Sequence, residues 1–148
     1  MFWVMPVFTN ILIALDGSEA SQRALSRAVD EAKVWSAQLH AVYVVETGLF
    51  SSLPPDNTVE IMYRVLEKEG KTVLEKARKF GAENGITIAT HIKQGHAGTE
   101  ITTLAVKEKS DLIIVGSHGK SNTDRLLIGS VSTFVVTHST VTTMVVRS

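Results

Sequence analysis

Short apolar runs alternate along the chain with longer segments in which apolar residues recur every third or fourth position. Asn10–Leu15 is apolar after its first residue and stops at Asp16-Gly17, as a buried strand does. Ser18 then stands where a helix N-cap is wanted. Ala20, Ala24, Ala28 and Ala32, with Leu25, Val29 and Trp35, form one stripe of an amphipathic helix. Gln38–Val45 predicts a second strand, and Thr47–Asp56, with Gly48, Pro54 and Pro55, predicts a loop. Val59, Met62, Leu66, Val73, Ala77 and Phe80 mark a second helix, in which Gly70 leaves room for a bend. Asn84-Gly85 ends it. Ile86, Ile88, Thr90 and Ile92 alternate as a third strand. Gly95–Thr99 reads as a turn with Thr99 as N-cap, and Ile101, Leu104 and Ala105 mark a short third helix. Asp111–Val115 is a fourth strand without polar alternation. A long loop from Gly116 to Gly129 leads into a helix over Ser130–His138 and a last strand over Val141–Val146.

Strands separated by helices require crossover connections, so the sheet is expected to be parallel and covered on both faces. The pattern predicts a doubly wound α/β fold with a five-stranded, mainly parallel sheet. Length agrees: 148 residues suit one domain, taken here as residues 1–148 with 1–9 as an apolar lead-in. That lead-in has no basic region or small-residue cleavage site, and Pro6 interrupts it, so neither a signal peptide nor a membrane span is expected.

Charge removes further classes. Fifteen Lys and Arg balance fifteen Asp and Glu, so no global positive field invites nucleic acid. The absence of cysteine excludes disulfides, thiolate metal sites and cysteine nucleophiles, and it suits a cytoplasmic protein.

Ligands of open α/β sheets sit beyond the carboxyl ends of the strands, where the winding reverses. Asp16-Gly17-Ser18 follows the first strand, and Gly116-Ser117-His118-Gly119-Lys120-Ser121 follows the fourth. Gly129, separated from the intervening Gly119 by nine residues, opens the last helix. Glycines there allow close approach of backbone to ligand, and unpaired amides at a helix start attract anions. A phosphate chain fits between that loop and that helix, with Ser130 and Ser132 adding hydroxyls. Asp16 is placed to accept from a ribose hydroxyl or to hold a metal ion on the phosphates. His118, Lys120 and Arg125 are either phosphate contacts or solvated loop residues.

The pattern Gly116-x2-Gly119-x9-Gly129-Ser130 resembles the nucleotide-binding signature of the universal stress proteins. Leu15-Asp16-Gly17-Ser18, Asp111–Gly119, Leu126–Ser132 and Thr143–Arg147 resemble other blocks of that family in the right order. Asn122 departs from the small residue usual in the middle of the loop. The resemblance implies membership of the ATP-binding branch. It implies that Ala14 and Asp16 lie near the ligand, that Val44 or Val45 presents backbone to adenine, and that Val115, Gly116, His118, Gly119 and Gly129 shape the pocket. Ser130, Val131 and Ser132 would meet the phosphates, and Mg would be carried with ATP at Asp16.

Competing motifs fail. Neither Gly119-Lys120-Ser121 nor Gly70-Lys71-Thr72 has the glycine that a P-loop needs five positions earlier. No G-x-S-x-G elbow or H-E-x-x-H pair occurs. Two classes remain: an ATP-binding regulatory protein, and a slow ATPase or nucleotidyl-transfer enzyme of the same architecture, with a dimeric scaffold whose site is empty as a third reading. No base is visibly placed for attack on phosphorus. A homodimer is expected through the last strand, whose apolar edge carries no proline and no charge before Arg147. The alternative is that Phe2–Phe8 covers that edge.

Overall fold

The computed structural model describes residues 7–50, 57–118 and 129–147. In chain order these form β1 (Asn10–Leu15), α1 (Glu19–Trp35), β2 (Gln38–Glu46), a single 3-10 turn (Thr47–Phe50), α2 (Asn57–Glu83), β3 (Ile88–Gly95), α3 (Ala97–Lys107), β4 (Leu112–Gly116), α4 (Ser130–His138) and β5 (Thr142–Val146). The strands lie in the order β3-β2-β1-β4-β5, and every neighbouring pair is parallel. The chain moves outward from β1 to β3, then crosses back to add β4 and β5 on the other side of β1. The winding therefore reverses between β1 and β4, and β3 and β5 are the edges.

Two apolar layers sandwich the sheet because alternate residues of each strand point to opposite faces. Ile11, Ile13 and Leu15 of β1, with Leu112 and Ile114 of β4, pack with Ala24, Ala28, Val29 and Ala32 of α1 and Leu74 and Ala77 of α2. Leu12, Val42, Ile113 and Val115 pack on the other face with Ile101, Leu104 and Ala105 of α3 and Val135 of α4. Asp111 pins the start of β1: its carboxylate accepts from the amides of Thr9 and Asn10 at 2.8 and 3.0 Å and from the Thr9 hydroxyl at 2.8 Å.

Several sequence expectations need correction. Helix α2 runs through Gly70 without interruption. Glycine is required there because a Cβ would lie 2.5 Å from Cδ1 of Tyr43, so the helix sits directly on that ring. The segment expected as a turn to Thr99 is already helical from Ala97. Its N-cap is His96, whose Nδ1 accepts from the Thr99 amide at 3.2 Å, so Thr99 is the capped residue and not the cap. β3 begins at Ile88, two residues later than the alternation suggested, because Ile86 donates its amide to Gly81 in closing α2.

Candidate functional site

The carboxyl ends of β1 and β4 lie side by side at the reversal. β1 is followed at once by Asp16, whose Oδ1 accepts from the Ser18 amide at 2.8 Å across Gly17, held at φ +82°. β2 runs on past Tyr43, the last residue paired with β1, through Val44, Val45 and Glu46. Val44 lies half-buried on the α3/α4 side, as does Ala14, while Val45 and Val115 are buried.

β4 passes directly into a hub at Ser117, which is 1% exposed. Its amide donates to Val146 O of β5 at 2.9 Å, and its carbonyl accepts from the Gly129 amide at 2.5 Å and from the Ser132 hydroxyl at 3.2 Å. Its hydroxyl is 3.0 Å from Nδ1 of His118. One residue thereby ties together the ends of β4 and β5 and the first turn of α4. These bonds place Gly129, Ser130 and Val131 above the reversal point, with Ser130 and Val131 exposed.

The helix starts around this end of the sheet differ in one respect. The N-cap Ser18 accepts from the Ser21 amide in α1. At α3 His96 caps, and a carboxylate oxygen of Glu46 accepts from the Ala97 amide at 2.8 Å. At α4 the N-cap is Gly129, no side chain caps the helix, and its first turn carries no acidic residue. Among the described residues the amides of Ser130, Val131 and Ser132 have no acceptor, and they carry the positive end of the helix dipole.

The structure brings Asp16, Gly116, His118, Gly129, Ser130, Val131 and Ser132 to one end of the sheet, as expected. It changes the role of two of them. A Cβ on Gly116 would meet the Ala20 carbonyl carbon at 2.9 Å, so this glycine is demanded by the close approach of α1. The Ser132 hydroxyl is buried and donates to Ser117 O and Gly129 O, so its proton is spent on holding the helix start. Gly119, Lys120, Asn122 and Arg125 lie outside the described residues. Sequence reasoning missed Ser117 and Glu46 as organising groups. No local pattern marks them, because their partners lie 12 to 51 positions away in the chain.

Separately, a cavity of about 690 Å³ lies between α1 and α2, lined by Leu25, Val73, Ala77 and Phe80 among others. It touches Leu15 and Gly17 but takes no described residue from β4 or α4, so it is distinct from the α4 start.

The model of the universal stress protein family matches residues 8–147. The chain belongs to that family. A universal stress protein of Methanocaldococcus jannaschii, MJ0531, is 35% identical over 141 residues, covering 95% of this chain and 83% of its own. The solved structure of UspA from Lactobacillus plantarum superposes with a TM-score of 0.84 at 28% identity, covering 94% and 97% of the two chains. Two more distant family structures share the fold: a universal stress protein in complex with cAMP (24% identity, TM-score 0.69, covering 95% and 97%) and one from Archaeoglobus fulgidus in complex with dAMP (18%, 0.68, covering 97% and 100%). The five-stranded parallel sheet of this family member is thus the family's own architecture. Among the described residues no helix is long and apolar enough to cross a membrane, and no three His, Cys, Asp or Glu side chains cluster to hold a metal ion.

Proposed function

We propose that this universal stress protein is an ATP-binding regulatory protein, with the nucleotide held between the end of β1, the loop after β4 and the start of α4. The observation that carries this reading is the α4 terminus: three amides at the winding reversal with no side-chain cap and no acidic neighbour in the turn. An anion is the natural partner of such a helix start. The cAMP and dAMP complexes of more distant family members support a nucleotide as the source of that anion. The neighbouring Asp16 suits a ribose hydroxyl. With one Asp16 oxygen already accepting from Ser18, any Mg ion would be held mainly by the phosphates. The regulatory reading is preferred to an ATPase because the nearby carboxylates of the described elements are engaged: Asp16 accepts from the Ser18 amide, Glu19 from Arg23, and Glu46 from the Ala97 amide.

The edge position of β5 supports a homodimer formed by pairing of that strand, and a cytoplasmic location belongs to the same proposal. Mass spectrometry of the nucleotide released from purified protein tests the central point. ATP is the expected species. Calorimetry showing no affinity for ATP, ADP, AMP or cAMP in folded protein would leave the dimeric scaffold as the better reading. Tight binding in excess chelator would make Asp16 a ribose contact alone. Sedimentation as a monomer at micromolar concentration would remove the dimer.

A further inference from the structure

His40 of β2 and His91 of the edge strand β3 form a pair that the nucleotide reading does not use. Nδ1 of His40 lies 3.0 Å from Nε2 of His91, and the rings stack with centroids 5.2 Å apart at 28°. His40 is in register with Leu12, and His91 with Val42. Leu12 and Val42 belong to the layer under α3 and α4, so both imidazoles lie on that face, half-buried.

We propose that this pair is an acid-sensitive latch that fastens the edge strand β3 to β2. A hydrogen bond between two imidazoles needs one ring nitrogen with a proton and one without. The neutral pair satisfies this. A pair with a single added proton satisfies it as well, and its bond is then charge-assisted. A second proton leaves no acceptor and puts two cations in contact, so the latch opens only when both rings are charged. The charged groups that act on His91 are Lys93 of the same strand and Lys107 and Glu108 at the end of α3. The two lysines oppose a second proton and Glu108 favours it. Burial first, and then His40, hold His91 below the ordinary histidine range.

The direction with pH follows. An unfolded or detached β3 binds the second proton more readily than the latched form, so latching is complete above the ordinary histidine range near pH 6.5 and is lost as pH falls through the lowered value. β3 is the element at risk because only β2 holds it in the sheet.

The test is amide hydrogen exchange at pH 7.5 and pH 5 in the presence of chelator, corrected for intrinsic rates, on the full chain. The β3 amides of residues 88–95 should lose about tenfold protection relative to those of β1. In His91→Phe, which keeps a ring but cannot titrate, this pH dependence should vanish. Equal β3 protection at both pH values, or a tenfold loss that persists in His91→Phe, overturns the proposal. If that variant does not fold, ring nitrogen NMR on the wild-type chain decides. Two coupled titration steps support the latch, and two independent single-site curves refute it.

Discussion

The hydroxyl of Ser132, in the first turn of α4, donates to the carbonyl of Ser117 at 3.2 Å, fifteen positions earlier and just beyond β4. The same carbonyl receives the Gly129 amide. The start of α4 is therefore fixed by the strand it follows and not by a cap of its own. Ser132→Ala removes one buried hydrogen bond and should cost about 1 kcal/mol of stability. Because the amides of α4 lose their anchor, nucleotide affinity should fall as well. Urea denaturation and calorimetry on one preparation check both.

Ser130→Asp separates stability from binding. A carboxylate at the first helical position interacts favourably with the dipole, so stability should rise by about 0.3–1 kcal/mol. The same charge competes with phosphate, and affinity for ATP should drop at least about tenfold, a loss of roughly 1.4 kcal/mol. Denaturation midpoints and titration calorimetry should move in opposite senses. A Ser130→Asp protein with wild-type affinity would place the phosphates elsewhere.

Gly70→Ala should destabilise, although alanine is the better helix former by about 1 kcal/mol. The added methyl would stand 2.5 and 2.9 Å from Cδ1 and Cε1 of the buried Tyr43 ring. Overpacking of this kind costs about 1–3 kcal/mol, which exceeds the propensity gain. Thermal unfolding of Gly70→Ala gives the sign directly, and Tyr43→Leu in the same background should recover part of the loss.

Asp111 should make β1 acid-sensitive. Burial raises its carboxyl, but the Thr9 and Asn10 amides and the Thr9 hydroxyl outweigh that and hold it below the usual carboxylate value. A lowered value means that the unfolded chain binds the proton more readily. The stabilisation is complete above pH 4 or so and disappears as pH falls through the folded value. Asp111→Ala should cost about 1 kcal/mol at pH 7, discounted for partial solvent exposure, and less at pH 2. Denaturation curves of the two proteins at the two pH values measure the difference.

Periodicity alone determined the element order, the parallel sheet and the exact bounds of β1 and of α4. Those features depend on which residues are apolar and how they are spaced, and a buried parallel strand or an amphipathic helix writes that spacing into a local window. The glycine and serine positions around Asp16, Gly116 and Gly129 also pointed to the carboxyl end of the sheet, where the structure gathers them. Tertiary structure decided what each residue does there. Gly116 makes room for Ala20, Ser132 anchors to Ser117, Glu46 occupies the start of α3, and Gly70 receives Tyr43. The His40–His91 contact belongs to the same class, since the two rings are 51 positions apart and meet only through the register of β2 with β3. Each of these contacts joins side chain or backbone across separate elements. Their distances are set by how the sheet and helices pack, and spacing along the chain carries no record of that.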